Sequence, residues 1–116
     1  MKYEKDIKDW TKGFAIKLVK LTIALKKEGI EYALRDQLLR SGTSIGANVK
    51  KAKASSSRKE LIRYYEIALK SCDESEFLIE VIREGYEMNI DRFATFQIEL
   101  KEITKVIARI IINLKK

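Results

Sequence analysis

The chain has 116 residues, of which 46% are apolar and 35% charged, and it carries a net charge of +7. This length allows one domain with its own core and is too short for two ordinary domains. Histidine, the commonest general base and metal ligand, is absent, and a single cysteine excludes an internal disulfide. We therefore expect no enzyme active site, no metal and no cofactor.

The composition favours a few long helices, because there is no proline and only five glycines for the turns that strands require. Charged residues interrupt the N-terminal segment and every long apolar run. Neither a signal peptide nor a membrane-spanning helix is predicted, and no membrane partner is expected. A cytoplasmic location follows as the expectation, in keeping with a lone cysteine in a reducing compartment.

The first helix is predicted over residues 9–28, because apolar residues recur there at spacings of three and four. Gly29 followed by Ile30 is typical of a helix end in which glycine is left-handed and the next apolar residue folds back. The second helix is predicted over residues 31–54 and is followed by a serine-rich loop. The apolar stripe of the first helix comprises Ile7, Trp10, Phe14, Leu18, Leu21 and Leu25.

The third helix is predicted over residues 57–84. It begins with Ser57 and Glu60, whose spacing is that of a capping box. In a capping box each of the two side chains accepts a hydrogen bond from the backbone N–H of the other residue. Gly85 and Tyr86 repeat the combination found at the end of the first helix. They therefore predict a second left-handed stop at that glycine.

The fourth helix is predicted over residues 90–115, with Asn89 or Asp91 as its N-cap. Four helices of similar length joined by short connections favour antiparallel neighbours. Residues 1–116 are therefore predicted to form one all-α domain, an antiparallel up-down-up-down four-helix bundle. A pair of helical hairpins exchanged between chains is the alternative architecture.

Helices one and three carry more apolar surface than a single core-facing stripe requires. A row of β-branched residues lies on the back of the first helix, and two apolar residues lie away from the main stripe of the third. We predict that these faces pack against other copies of the chain, with closed cyclic symmetry. The candidate interface residues are Ile16, Val19, Ile23, Phe77 and Val81.

Polar residues form a strip along one flank of the second helix. Gly42 and Gly46, four residues apart in the same segment, favour a close approach of two helix backbones. The strip either satisfies hydrogen bonds between helices or contacts a nucleic acid or protein partner, and the sequence leaves both readings open. Its members are Gln37, Ser41, Ser44 and Asn48.

The pattern Gln-x-x-Arg-Ser-x-x-Ser-Ile-x-x-Asn at residues 37–48 resembles the "four helix bundle protein" family, which includes proteins encoded in intervening sequences of bacterial 23S ribosomal RNA genes. The resemblance runs from the end of the first helix into the fourth. It implies a four-helix bundle that assembles as a ring-shaped homopentamer. The accessory variability determinant of diversity-generating retroelements is similar, and it is a basic pentamer that binds nucleic acid and a reverse transcriptase.

Basic residues cluster around the loop between the second and third helices. Lys51 stands where the family commonly has a glutamate, which leaves the cluster nearly unbroken. Lysines at a helix C-terminus also complement the helix dipole, and charge aids solubility, so these are the alternative explanations. The candidate nucleic-acid-binding residues are Arg40, Lys50, Lys51, Lys53, Arg58 and Lys59.

These patterns favour a non-enzymatic, homo-oligomeric protein, pentameric if it follows the family, that binds RNA or DNA through a basic surface. The alternative is a protein-interaction scaffold or accessory subunit, for example of a reverse transcriptase, with no nucleic-acid function of its own. The surplus apolar surface on the first and third helices motivates that alternative.

Overall fold

The computed structural model describes the backbone of residues 2–116 and the side chains from residue 7 onward. Four helices account for nearly all of this part of the chain: α1 (Lys2–Lys27), α2 (Tyr32–Lys53), α3 (Arg58–Gly85) and α4 (Ala94–Leu114). Each helix contacts the next, and α1 also contacts α4, in a molecule of 44 × 21 × 19 Å. The predicted all-α, up-down-up-down four-helix bundle is confirmed.

The core lies where the apolar stripes of the four helices meet. Phe14 of α1, Leu38 of α2, Ile79 of α3 and Ile103 of α4 are fully buried, and Phe96 meets the ring of Phe14 edge-on at 5.9 Å between centroids. Burying a side chain of this size stabilises a fold by roughly 1.5–3 kcal/mol. The three-and-four spacing of the sequence is therefore the main determinant of the architecture.

The end of α1 matches the prediction. Gly29 is left-handed, with φ of 84°, and its N–H donates to the carbonyl of Lys26 at 3.1 Å. The N–H of Ile30 reaches back to the carbonyl of Leu25, and the Ile30 side chain is buried. These two bonds satisfy carbonyls that a helix end otherwise leaves unpaired. At its other end α1 starts at Lys2, seven residues before the predicted start.

The end of α3 differs from the prediction. Gly85 is the last helical residue, and the left-handed residue is Glu87, with φ of 53°. The N–H of Met88 donates to the carbonyl of Arg83 at 2.8 Å, and the Met88 side chain packs against the core. The stop predicted at Gly85 is wrong, since the left-handed residue comes two residues later, beside a Met88 side chain that packs against the core.

The start of α4 also differs, since the helix begins at Ala94 rather than at residue 90. The Asn89 side chain accepts from the N–H of Asp91 at 2.8 Å, which closes a turn before the helix. Neither predicted N-cap is therefore used, and buried Phe93 occupies the cap position. At the start of α3, by contrast, Ser57 is the N-cap and accepts from the N–H of Glu60 at 3.1 Å, which is the serine half of the predicted capping box.

Two glycines determine how closely α1 and α2 pack. A Cβ added to Gly42 would lie 1.9 Å from Cδ2 of Leu18, and one added to Gly46 would lie 3.3 Å from the backbone of Thr11. Leu18 is fully buried and fills the space that a side chain at position 42 would need. The close approach of backbones expected from the spacing of these glycines is present.

Candidate nucleic-acid interface

The predicted basic cluster lies at one end of the bundle. Lys50, Lys51 and Lys53 occupy the last turn of α2, Arg58 and Lys59 occupy the first turn of α3, and all five are exposed. They follow from the local sequence, since basic residues near the end of α2 complement its C-terminal partial charge. The serine-rich loop is short, so the two groups stay side by side.

Two members of the cluster have contacts within the bundle. The Arg58 guanidinium donates to the carbonyl of Leu114, near the end of α4, at 2.8 Å. The Lys51 ammonium lies 6.0 Å from the ring centroid of Tyr64, within the range of a cation–π contact. Lys50, Lys53 and Lys59 form no ion pair with the described side chains. These three ammonium groups are therefore available to an external anion.

Arg40 is not part of this cluster. It lies ten residues before Lys50 on α2, which is about 15 Å along a helix axis. Its guanidinium pairs with Asp36, one turn away on the same helix, at 3.0 Å. The structure therefore separates Arg40 from the other five predicted residues.

Antiparallel packing brings further basic residues to the same end. The described beginning of α1, the second half of α2, the first half of α3 and the second half of α4 all lie there. We call residues 7–14, 43–71 and 104–116 the basic half, and residues 15–42 and 72–103 the mixed half. The basic half has thirteen Lys or Arg residues and three Asp or Glu residues. The mixed half has nine Lys or Arg residues and twelve Asp or Glu residues.

The net charge is thus +10 in the basic half and −3 in the mixed half. Sequence reasoning missed the basic residues that α1 and α4 contribute, because they are far from the cluster along the chain. The signal was nevertheless present, since the up-down order alone places the start of α1 and the end of α4 beside the loop between α2 and α3. The exposed additions include Lys8, Lys12, Arg63, Arg109, Lys115 and Lys116.

The polar strip of α2 faces α3 rather than the surface. Ser71 donates to Ser44 at 3.0 Å, and Ser75 lies 2.9 Å from the Ser41 hydroxyl. The Asn48 amide donates to the carbonyl and the hydroxyl of Ser44 at 2.8 and 3.0 Å. Of the four predicted members, only Gln37 is exposed. The geometry of the other three is that of hydrogen bonding between and within helices.

The predicted interface residues are exposed on two separate faces. Ile16, Val19 and Ile23 lie on the outer side of α1, and Phe77 and Val81 lie on the outer side of α3, where Phe77 is 63% exposed. The two helices do not contact each other, so they occupy diagonal corners and their outer faces point in opposite directions.

The charges that flank these two faces have opposite signs. Exposed lysines accompany the α1 face, and acidic residues accompany the α3 face. Charges of opposite sign favour contact between two such faces, and like charges disfavour contact of either face with itself. The flanking residues are Lys20 and Lys26 on α1, and Asp73, Glu74, Glu80 and Glu84 on α3.

Cys72 has none of the features of an activated nucleophile. The thiol is fully buried on the inner stripe of α3, and burial raises its pKa from 9.0 to about 12 despite a hydrogen bond with Thr104. The neutral thiol therefore behaves as a small apolar group. Among the described residues, no three Cys, Asp or Glu side chains converge as metal ligands.

None of the helices in residues 2–116 combines the length and the hydropathy needed to cross a bilayer.

The comparisons with known proteins agree with this architecture. No curated protein matches the chain. A crystal structure of a protein of unknown function from the S23 ribosomal protein family of Bacteroides thetaiotaomicron VPI-5482 is 34% identical in sequence, with a TM-score of 0.85 over 90% of this chain and 97% of that chain. Neither family description names an enzymatic activity. The family model of the 23S rRNA-intervening sequence protein matches residues 4–109, so the chain belongs to that family.

Proposed function

We propose that this protein is a non-enzymatic, oligomeric nucleic-acid-binding protein whose basic half contacts the phosphate backbone. The observation that carries the proposal is the separation of charge, +10 in one half of the bundle against −3 in the other. A net charge gathered at one end produces a stronger local potential than the same charge spread over the surface. Such a surface attracts polyanions and releases their counterions on binding.

Recognition in this proposal is by backbone charge and shape rather than by base identity. Reading single-stranded bases usually needs exposed aromatic rings on which the bases stack. The aromatic residues nearest the cluster are not exposed, since Tyr65 is buried and Tyr64 is half-buried beneath Lys51. Binding should therefore depend weakly on sequence and strongly on salt.

The direct test is titration of the protein with single-stranded and duplex RNA and DNA at about 50 and 200 mM salt. A protein that makes six or more phosphate contacts should lose about a thousandfold in affinity over that range. An affinity independent of salt, or no binding at low salt, would overturn the proposal. In a pull-down from lysate, a protein partner that persists after nuclease treatment would favour the alternative, a scaffold or accessory subunit.

The oligomer in this proposal forms by contact between the α1 face of one copy and the α3 face of the next. Opposite flanking charges support this pairing, and the two patches also lie at the same height. Leu18 lies opposite Gly42, and Ser41 lies opposite Ser75, so Ile23 and Val81 are at similar levels on helices that run in the same direction.

A contact between two different faces on opposite sides of a subunit generates a ring when the rotation closes. Cyclic symmetry orients every copy in the same way, so all basic halves would lie on one side of the ring. The subunit number of five comes from the family resemblance, and five copies would carry about +35 in total. Simultaneous contact by several copies would raise the apparent affinity for a long polyanion.

Light scattering on two variants tests this assembly. Val19→Glu places a carboxylate against the acidic α3 face, and Phe77→Glu places a carboxylate in the apolar centre of the α3 face, so the doubly substituted contact sets one carboxylate against another. Each variant alone should be a monomer. Mixing them restores one compatible pair of faces, so the mixture should form a one-to-one dimer that cannot extend. If either variant keeps the wild-type mass, or the mixture stays monomeric, the α1–α3 contact is wrong.

A further inference from the structure

A groove of about 490 Å³ lies between the beginning of α1 and the second half of α2. Its walls are low because small residues line it, among them Ala15, Thr43 and Ala47. Gly46 lies at its base, where α2 approaches the Thr11 backbone so closely that an added Cβ would come within 3.3 Å. The groove is therefore a direct result of the small residues in the middle of α2.

Three lysines surround this groove, and one carboxylate accompanies them. Lys8 and Lys12 are one turn apart on α1, about 6 Å along the axis, and Lys50 lies across the groove on α2. All three lysines are exposed, and among the described residues that line the groove Asp9 is the only acidic one. Positive charge thus approaches one concave surface from two helices.

The groove concentrates positive charge in a way that the loop between α2 and α3 does not. Concave surfaces lined by charges of one sign concentrate the potential, whereas charges on an open surface are screened from most sides. One cation beside the loop, Arg58, is also held by the carbonyl of Leu114. The groove is therefore the stronger attractor for an anion within the basic half.

We propose that a single strand of phosphodiester backbone lies in this groove and is contacted by Lys8, Lys12 and Lys50. This inference rests on the proposed nucleic-acid function and identifies where that contact is made. An extended polyanion fits better than a small fixed ion, because the lysines are flexible point charges spread along the groove. The proposal also assigns a role to Lys8 and Lys12 of α1, which lie far along the chain from the basic residues beside the loop between α2 and α3.

The test uses two exposed alanines seven residues apart, one within α2 and one at its C-cap. Ala47 lines the groove, whereas Ala54 lies at the start of the loop. Glutamate at either position is three or four residues from both Lys50 and Lys51, so Ala47→Glu and Ala54→Glu make the same change in net charge at the same distance in sequence from these two lysines. Ala47→Gln, which adds a side chain of similar size without charge, completes the set.

The probe is a fluorescent single-stranded oligouridylate at low salt. We expect Ala47→Glu to weaken binding about thirtyfold, Ala54→Glu about threefold or less, and Ala47→Gln by about twofold or less. Each of Lys8→Ala, Lys12→Ala and Lys50→Ala should reduce the salt slope by about one. Thermal unfolding of every variant checks that the bundle is intact.

The outcomes separate the two proposals. If wild-type protein does not bind the oligonucleotide, the proposed function fails. If wild-type protein binds and Ala54→Glu weakens binding as much as Ala47→Glu, the nucleic-acid function stands and the groove is wrong. A third outcome is that wild-type protein binds phosphatidylserine vesicles but not the oligonucleotide, and that Ala47→Glu abolishes the vesicle binding. This outcome would assign the groove to anionic lipid and overturn both proposals.

Discussion

The basic half and the mixed half of the bundle share one core but have different surfaces. The basic half has a net charge of +10, and Ile112 is its only large exposed hydrophobic residue among the described residues. The mixed half has a net charge of −3 and contains the other nine large exposed hydrophobic residues among the described residues. Charge and apolar surface are therefore segregated along the axis, and this segregation supports the proposal of polyanion binding at one end and self-association at the other.

The largest expected effect is on the rate at which Cys72 is alkylated, and this residue lies where the two halves meet. At pH 9.0 a free thiol is half ionised, whereas a pKa of about 12 leaves about one folded thiol in a thousand as thiolate. Alkylation by iodoacetamide at that pH should therefore be about five-hundredfold slower in the folded protein than in urea. The same shift means that Cys72 lowers stability as pH rises from about 9 towards 12, because the unfolded thiol ionises first.

The alkylation rate of Cys72 in urea shows whether the two halves differ only in their surfaces or also unfold separately. With increasing urea, protection of Cys72 should be lost together with the helical circular dichroism signal, since both halves belong to one core. Loss of protection well before loss of helix would mean that the halves unfold separately.

The next largest effect is expected on stability, from substitution of Gly42, which lies at about the same level along the bundle axis as Cys72. Gly42→Leu should lower the free energy of unfolding by about 3 kcal/mol, because buried Leu18 already fills the space beside that backbone. Gly13→Ala is the matched control, since nothing lies within 4 Å of its added Cβ and alanine favours the helix by up to about 1 kcal/mol. Equal stabilities of both variants in urea titrations would contradict the close α1–α2 packing.

Reversing two charges in one half tests whether position matters more than net charge. Lys53→Glu with Lys59→Glu, in the basic half, should weaken binding of RNA by about tenfold or more at low salt. The control pair, Lys27→Glu with Lys101→Glu, makes the same change in net charge in the mixed half and should weaken binding by about threefold or less. Fluorescence anisotropy measures both, and equal losses would mean that overall charge alone determines binding.

The smallest effect is expected at the end of α3. Glu87 is held at φ of 53°, where a residue with a Cβ is disfavoured, so Glu87→Gly should raise the free energy of unfolding by about 1 kcal/mol. Glu87 lies in the mixed half, away from the two apolar faces, so the subunit mass and the affinity for RNA should not change. Thermal unfolding measures the gain, and a decrease in stability would contradict the left-handed stop.

The sequence was sufficient for the number of helices, their order and most of the core, because these depend on the spacing of apolar residues. It was insufficient at two helix ends. Gly85 was the obvious stop, but burial of Met88 outweighed the conformational preference of glycine. Asn89 was a good N-cap candidate, but its side chain closes a turn instead. In both cases a tertiary contact decided between alternatives that are locally similar.

The candidate site was predictable only where it is contiguous in sequence. Lys50 to Lys59 could be recognised from the order of residues, whereas Lys8 and Lys12 join them only after α1 packs against α2. The sequence also offers Arg40 as a candidate contact, yet a helix extends about 1.5 Å per residue, and ten residues therefore separate Arg40 from Lys50 by about 15 Å. The groove depends on small side chains, which have no charge pattern to reveal it.

The hydroxyl pairs between α2 and α3 have a further consequence for the alignment of those helices. Apolar ridges can slide past one another by a helical turn with little change in buried area, but displaced hydroxyls would lose their partners and remain buried. Ser41 with Ser75, and Ser44 with Ser71, therefore fix one sliding position of the two helices. The hydroxyl pairs, which lie about two to four turns from the connecting loop's cations, therefore set the spacing between the cations on its two sides.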